Sequence, residues 1–140
     1  MIPMKIHSLW NTGWQEPPSV VAKVRQSWDH HAGDYEVNAL QDDDLQRHME
    51  ELGLSNANLT IQAASDLLRT KLLFEQGGIW LDATCLLSDP LSNWISDATS
   101  ESGFFAFTRP GADRLISSWC LASEAGTPML EDFLSRLVKY

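Results

Sequence analysis

The spacing of apolar and polar residues in the first half of the chain predicts two strands and two helices. The segment MKIHSLW at 4–10 is short, mixed in polarity and ends on an aromatic residue, which is typical of a strand. YEVNAL at 35–40 has a similar pattern. Between them, apolar residues recur at helical spacing at Val20, Val21, Val24 and Trp28. QDDDLQRHMEELGL at 41–54 predicts a short helix, because its acids lie near the start, where the helix dipole favours them.

The second half of the chain continues the alternation of helices and strands. A long helix is predicted from about residue 58 to residue 76, where Gly77 and Gly78 stop it. The elements expected after it are a strand at 79–87, a loop with a short helix at 89–103, strands at 103–109 and 114–123 separated by a mobile loop at Pro110 and Gly111, and a helix that begins at Thr127 and Pro128. Such alternation favours an α/β layer whose strands run parallel.

Composition and charge narrow the class of protein. With 140 residues, 44% of them hydrophobic and 21% charged, the chain has the make-up of one globular domain, 1–140. The net charge of −9 argues against a nucleic-acid binder, because phosphate backbones need a basic surface. No apolar run approaches the ~20 residues of a membrane span, and the N-terminus lacks the pattern of a secretory signal. With only two cysteines, Cys85 and Cys120, the chain is expected to be cytoplasmic.

The long central helix has one apolar side and two polar stripes. Lys71 and Glu75 are four residues apart and are expected to form a solvated pair of small energetic value. Asp66 and Arg69 are three apart and leave the same flank of the helix. This second pair is either a local salt bridge worth about 0.3 kcal/mol or two groups that face a cleft for a polar ligand. The apolar side is expected to contain Ile61, Ala64, Leu67, Leu68, Leu72 and Phe74.

Asp82 ends a stretch that otherwise has the composition of a buried strand. One interpretation is an ordinary turn residue or helix N-cap at the strand end. The other is that the strand delivers a carboxylate to the carboxyl edge of the sheet, where open α/β sheets bind ligands. Thr84, two positions on, adds an oxygen on the same side, and ligand sets made only of oxygen suit Mg²⁺ or Mn²⁺.

Other residues with polar or aromatic chemistry have simpler interpretations. His7 is expected to be a hydrogen-bonded residue of the first strand rather than a metal ligand, and Trp80 a core residue. Arg109 lies beside the predicted mobile loop, so it is a weak candidate for the site. Six tryptophans are many for this length, and sugar binding is one reason for such a number.

Three segments together resemble the capsular polysaccharide synthesis glycosyltransferases, which are related to DXD-type sugar transferases similar to glycosyltransferase family 32. They are KIHSLW near the start, SDLLRTKLLFEQGGIWLDAT at 65–84 and FFAFTRPGADRLISSWCLAS at 104–123. The likeness runs over essentially the whole chain. It is most specific in the block that holds Asp66, Arg69, Gly77, Gly78 and Asp82.

The resemblance implies a GT-A fold, a Rossmann-like sheet that binds a nucleotide sugar with Mn²⁺ or Mg²⁺. By this likeness Trp10, which ends the first strand, stacks on the nucleotide base. Asp66 and Arg69 contact the donor's sugar and the neighbouring phosphate, and Gly78 belongs to the same donor-binding block. Asp82 faces the ribose and the metal.

The chain departs from the DXD pattern at one position and from the family's usual length. The triplet is Asp82-Ala83-Thr84, so the second carboxylate, which is the metal ligand in the wider superfamily, is absent. Capsule-type relatives often have the Asp-Ala-Thr form, which leaves Asp82 and Thr84 as the expected metal ligands. Relatives continue well beyond this length, so the chain is expected to be a donor-binding half that is incomplete at its C-terminus and lacks the acceptor half.

The function implied by the resemblance is transfer of a hexose, with retention of configuration, from a nucleotide-diphosphate donor. The expected donor is a UDP-sugar, the acceptor a glycan or a lipid-linked molecule, and the setting capsular or surface polysaccharide synthesis in a bacterial cytoplasm or at the inner face of the membrane. No catalytic base is assigned. The alternative is a truncated, non-catalytic nucleotide-sugar-binding or regulatory module.

Overall fold

Five strands form one mixed sheet in the computed structural model, which describes residues 1–140. The strand order is β2-β1-β3-β5-β4, and β1 pairs parallel with both β2 and β3. The predicted α/β sheet is therefore confirmed. The strands are β1 Lys5–Leu9, β2 Glu36–Leu40, β3 Gly78–Leu81, β4 Phe104–Gly111 and β5 Arg114–Ser123.

Helices flank the sheet on both faces. They are α1 Ser19–His31, α2 Asp42–Glu51, α3 Ile61–Gln76, α4 Ile95–Thr99 and α5 Pro128–Lys139, with a single 3-10 turn at Leu91–Asn93. α2 begins with a capping box between Gln41 and Asp44, and the Thr60 side chain accepts a hydrogen bond from the Ala63 amide at the start of α3. None of these helices combines the length and the hydrophobicity required to traverse a membrane.

The last two strands differ from the predicted parallel arrangement. β4 and β5 form an antiparallel hairpin, and β5 is also antiparallel to β3. Two residues separate β4 from β5, and so short a connection can join only antiparallel strands. The loop predicted at Pro110 and Gly111 is part of β4 instead. The prediction of parallel strands is therefore wrong for this hairpin.

Two apolar cores lie on opposite faces of the sheet. Since side chains alternate along a strand, Ile79 and Leu81 of β3 face one core while Trp80 faces the other. α1 and α4 cover the first core, and α2, α3 and α5 cover the second. The expected apolar side of α3 packs in this second core except for Ile61, which is half exposed at the start of the helix.

Lys71, near the end of α3, is buried, contrary to expectation, whereas its partner Glu75 is exposed. Lys71 is 2% exposed, and its Nζ lies 2.6 Å from Glu51 and 2.9 Å from Glu75. Burial alone would lower the pKa of Lys71, but hydrogen bonds to the two glutamates outweigh it and raise the pKa. α2 packs over this face of α3 and supplies Glu51 and His48 as partners of Lys71. Lys71, which was predicted to be solvated, therefore links the two helices.

Gly78 lets β3 approach β1 closely. Its φ is +106°, and a Cβ at this position would lie 2.5 Å from the carbonyl oxygen of Lys5. The preceding carbonyl, that of Gly77, accepts a hydrogen bond from Nε2 of His7 at 3.0 Å. Nδ1 of His7 in turn accepts a hydrogen bond from the side-chain amide of Asn38 on β2. The three parallel strands are thus fixed against one another, and His7 has the structural role expected of it.

Candidate functional site

Two residues with candidate functions follow the parallel neighbours β1 and β3. Trp10 comes directly after β1 and Asp82 directly after β3, so both emerge at the carboxyl edge of the sheet. The chain places β2 on one side of β1 and β3 on the other. A strand order of this kind has its topological switch point between β1 and β3, where open α/β sheets bind ligands.

A cavity of about 450 Å³ opens at this edge. It gathers Trp10, Asp66, Arg69, Asp82 and Thr84, all of which were predicted as site residues from the sequence. We call this cavity the switch-point crevice. The rest of its lining comes from Leu9, Asn11, Ile61, Gln62, Ser65, Trp80, Ala83 and Ser118.

Arg69 is the centre of the switch-point crevice. Its guanidinium is almost fully buried and lies 3.4 Å from a carboxylate oxygen of Asp66 and 3.5 Å from one of Asp82. The two proposed roles for the Asp66–Arg69 pair, a helix salt bridge and a cleft-facing pair, therefore coexist. A single buried cation links a carboxylate on α3 to a carboxylate at the end of β3.

The remaining contacts of Arg69 fix its side chain in place. Nε donates to the carbonyl of Ser65, and Nη2 donates to the Ser65 hydroxyl at 3.0 Å. Nη1 donates to the carbonyl of Ser118 on β5, and the guanidinium lies over the Trp80 ring, 5.1 Å from its centroid. These contacts use most of the donors of the guanidinium, so Arg69 is held rigidly between helix and sheet.

Asp82 is oriented by the strand that precedes it. The indole Nε1 of Trp80 donates to Oδ1 of Asp82 at 2.7 Å, while the backbone amide of Asp82 donates to the carbonyl of Trp119. The strand stops here because the Asp82 carbonyl accepts from the amide of Cys85, which closes a turn. β3 is therefore shorter than the predicted 79–87. Oδ2 of Asp82 has no partner among the hydrogen bonds of the chain, and the side chain is 37% exposed.

Trp10 contributes an unpaired hydrogen-bond donor. Its backbone amide donates to the carbonyl of Leu40, which fixes the residue beside β2. Its indole Nε1, however, is buried and has no hydrogen-bond partner within the chain. A buried donor without a partner is uncommon in folded proteins and calls for a ligand or a water molecule.

Gly78 and Arg109 do not line the switch-point crevice. Gly78 lies at the start of β3, at the opposite end of this strand from Asp82, and packs against Lys5. Gly78 therefore packs within the sheet, outside the switch-point crevice. Arg109 is exposed on β4.

Ser118 is a site residue that sequence reasoning missed. Ser118 contributes its backbone carbonyl, and the pattern of side chains in a sequence cannot predict such a contact. Ser65 precedes Arg69 by four residues and lies on the same polar stripe of the helix, but it was not named as a site residue.

The residues present fit a divalent cation only in part. Asp66, Arg69 and Asp82 are the charged residues of the lining, so the crevice carries a formal charge of −1. No group of three or more His, Cys, Asp or Glu side chains is placed to hold a metal ion. Mg²⁺, however, is commonly bound by one or two carboxylates together with substrate phosphates. Asp82 and Thr84 fit that second arrangement, in which the ligand completes the coordination.

The fold is shared with a solved glycosyltransferase structure. The structure titled PaToxG Glycosyltransferase superposes with a TM-score of 0.67 over 99% of this chain and 61% of that chain, at 14% identity. At this identity the likeness concerns the fold, and it agrees with the predicted GT-A-like sheet.

Two curated relatives are yeast proteins named Initiation-specific alpha-1,6-mannosyltransferase. The protein from Saccharomyces cerevisiae is 28% identical over 111 aligned positions, which cover 71% of this chain and 23% of that protein. The protein from Candida albicans is 22% identical over 162 positions, which cover 96% of this chain and 42% of that protein. The chain thus spans less than half the length of either. Because both organisms are yeasts, these relatives give no support to the expected bacterial setting.

A protein-family model gives the broadest match. The family it describes is the capsular polysaccharide synthesis proteins, and the match extends over residues 1–140. This match confirms the resemblance that the segments around Trp10, Asp66 and Asp82 indicated. Since the whole chain fits the model, it belongs to the capsular polysaccharide synthesis protein family.

Proposed function

We propose that this chain is the donor-binding part of a glycosyltransferase and that a nucleoside-diphosphate sugar binds in the switch-point crevice. The observation that carries the proposal is the convergence of Trp10, Asp66, Arg69 and Asp82 on one cavity at the carboxyl edge of the sheet. The names of the yeast relatives and of the solved structure support the same class of activity.

Each residue of the crevice has a distinct part in the proposal. The Trp10 ring stacks on the base, and its free indole Nε1 donates to the nucleotide. Asp66, whose side chain is half exposed beside Arg69, accepts hydrogen bonds from sugar hydroxyls. Asp82 keeps Oδ1 on Trp80 and presents Oδ2 to the ribose and to a hydrated cation.

Arg69 acts in this proposal mainly as a positioning residue. Its donors are already engaged by Ser65 and Ser118, so it has little capacity for further direct hydrogen bonds. Its positive charge holds the two carboxylates in place and offsets part of their repulsion toward a diphosphate. This differs from the direct phosphate contact that the family likeness implied.

The charge of the crevice argues for a cation that enters with the donor. A lining with a formal charge of −1 repels a diphosphate unless a cation comes between them. In the proposal Asp82 and Thr84 would hold Mn²⁺ or Mg²⁺ together with the phosphates of the donor. When bound, such an ion stabilises the negative charge of the leaving diphosphate.

The sugar, nucleotide and acceptor are proposed from the comparisons and the family. Mannose is the first sugar to test, because both yeast relatives are named mannosyltransferases. The expected UDP-sugar donor is retained and tested beside a mannose nucleotide. The proposed acceptor is a glycan or a lipid-linked molecule, in the synthesis of a capsular or other surface polysaccharide.

A ligand-observed NMR screen tests the proposal. Saturation transfer from the protein is measured for UDP-sugars, for GDP-mannose and for free mannose, with and without Mg²⁺. We expect transfer to at least one nucleotide sugar with Mg²⁺ present and none to free mannose. Absence of transfer to every nucleotide sugar contradicts the proposal. Release of the sugar from a bound donor, followed in the same samples, would favour the enzyme over the non-catalytic binding module.

The role of the cation is tested by electron paramagnetic resonance of Mn²⁺. Protein alone is expected to leave the signal of free Mn²⁺ nearly unchanged, because the chain supplies too few ligands. Protein and a nucleoside diphosphate together are expected to reduce the signal more than the nucleotide alone. Equal reduction with and without protein contradicts a shared cation.

A further inference from the structure

A second cavity of about 440 Å³ lies directly beside the switch-point crevice. It is enclosed by α3, by α5 and by β4 and β5, and we call it the α5 cavity. Asp66, Arg69 and Ser118 line both cavities, so the two spaces meet at the proposed position of the donor sugar.

Away from that junction the lining of the α5 cavity is mostly apolar, and its polar members are Thr70, Ser117 and Asp132. Seven of its thirteen residues are hydrophobic. Three of these, Ile116, Met129 and Phe133, are large side chains that remain about half exposed. Apolar surface in a concave site next to a few polar groups is typical of a small-molecule pocket, and the volume lies in the range of such pockets.

The α5 cavity also holds an unsatisfied polar group. Ser117 is 1% exposed, and its hydroxyl has no hydrogen-bond partner within the chain. A buried hydroxyl of this kind normally has a partner, because leaving it unpaired is costly. A ligand with a hydroxyl or ether oxygen near the junction of the two cavities would supply one.

We propose that the α5 cavity binds the hydrocarbon part of an amphipathic acceptor whose sugar or hydroxyl end points to Asp66 and Arg69. The inference rests on the proposed function, because it takes the switch-point crevice as the donor site. A hydrocarbon occupant fits better than a second sugar, since the apolar walls would leave sugar hydroxyls without partners. The shared residues at the junction place the polar end of such an acceptor beside the donor sugar.

Alkyl mannosides test this inference without requiring turnover. Methyl, hexyl and octyl α-mannoside are titrated below their micelle concentrations, and amide shifts of the protein are followed by NMR. We expect affinity to rise with chain length, by up to about fourfold per methylene, and the shifts to concentrate on α5 and β5. Equal affinity for methyl and octyl mannoside overturns the inference.

Neighbouring residues on β5 give a matched pair of variants. Ile116 lines the α5 cavity, whereas Leu115 does not, and both side chains are exposed enough to tolerate a charge. Ile116→Glu should weaken octyl mannoside binding at least about tenfold, and Leu115→Glu should leave it within about twofold. Equal effects of the two variants overturn the inference.

Two further measurements separate the inference from its alternatives. Nucleotide-sugar binding is expected to be unchanged in Ile116→Glu. If the wild type binds octyl mannoside in the cavity but binds no nucleotide sugar, the proposed function is contradicted and the hydrocarbon site is retained. Sedimentation velocity is expected to give the same species for the wild type and Ile116→Glu. A dimer that this variant dissociates shows that a second copy covers the cavity and overturns the inference.

Discussion

The guanidinium of Arg69 lies 3.5 Å from the carboxylate of Asp82, although one belongs to a helix and the other follows a strand. Between them the chain passes through the whole second half of α3 and through β3. This ion pair therefore joins α3 to the carboxyl edge of the sheet, at the place where the ligand is expected to bind. Its removal should affect both stability and binding.

Arg69→Met is expected to lower the free energy of unfolding by about 1–3 kcal/mol, because the Ser118 carbonyl and Asp82 lose their buried partner. The partly exposed carboxylates can recover water, which limits the cost. Urea unfolding followed by tryptophan fluorescence measures the change. Arg47→Met, which breaks an exposed pair with Asp44, serves as the control and should cost about 0.5 kcal/mol or less. Equal costs for the two variants contradict the central position of Arg69.

Trp80→Phe should weaken donor binding more than it weakens the fold. The variant keeps an aromatic ring in the core but removes the hydrogen bond to Oδ1 of Asp82, so the carboxylate loses its orientation. Calorimetry should show a loss of nucleotide-sugar affinity of about three- to tenfold.

Trp28→Phe is the matched control for that variant. Trp28 is also fully buried and also donates from its indole nitrogen, but to the carbonyl of Cys85 and from the opposite face of the sheet. Both variants should lose a similar amount of stability, while Trp28→Phe should keep its donor affinity. A larger loss of affinity in the control than in Trp80→Phe would show that the indole of Trp80 does not orient Asp82.

Gly78→Ala should destabilise the protein severely, because Gly78 packs against β1 and lies outside the switch-point crevice. The added Cβ would lie 2.5 Å from the Lys5 carbonyl in a backbone with φ of +106°, so a loss of at least about 3 kcal/mol is expected. Gly33→Ala measures the cost of a positive φ without a steric clash, because Gly33 has φ of +62° with open space around it. This substitution should cost about 1 kcal/mol. Thermal unfolding measures both. Similar costs for the two glycines contradict the close approach of β3 to β1.

Acidification should destabilise the fold through two buried histidines. Burial lowers the pKa of His7 below its ordinary 6.5, and burial together with Lys71 lowers that of His48. In the unfolded chain both take up protons as the pH falls through about 6.5, whereas the folded chain resists protonation, so stability falls below this pH. In His7 the Nδ1 atom accepts from Asn38, a contact that protonation would remove.

The variant His7→Gln isolates one of these groups. Its free energy of unfolding should decline less steeply between about pH 6.5 and 5 than that of the wild type. The exposed His30→Gln should keep the wild-type slope. If His7→Gln also keeps that slope, the buried imidazole is not the source of the acid sensitivity.

Local patterns were sufficient to place three residues of the crevice on their elements, while the family likeness assigned them to a ligand site. The spacing of Asp66 and Arg69 placed both on one flank of α3, and the position of Asp82 after a buried strand placed it at the sheet edge. Contacts between distant segments were beyond such patterns. The burial of Lys71 depends on α2 packing over it, and the fixation of Arg69 depends on a carbonyl of β5.

The part played by Gly78 shows the same limit. Its sequence neighbours linked it to the donor-binding block, while its conformation is explained by the Lys5 carbonyl more than seventy residues away. Both strands of the hairpin of β4 and β5 were predicted, but their parallel direction was wrong because no helix separates them, and the loop predicted at 110 and 111 is part of β4.

Calorimetric titration of the best nucleotide sugar from the NMR screen, with Mn²⁺ present, tests the central claim most directly. It is carried out on the wild type, on Asp82→Ala and on Asp43→Ala, which removes the same charge from the exposed start of α2. The wild type and Asp43→Ala are predicted to bind alike, and Asp82→Ala to show no measurable heat of binding. Unchanged affinity in Asp82→Ala contradicts the assignment of this crevice as the donor site.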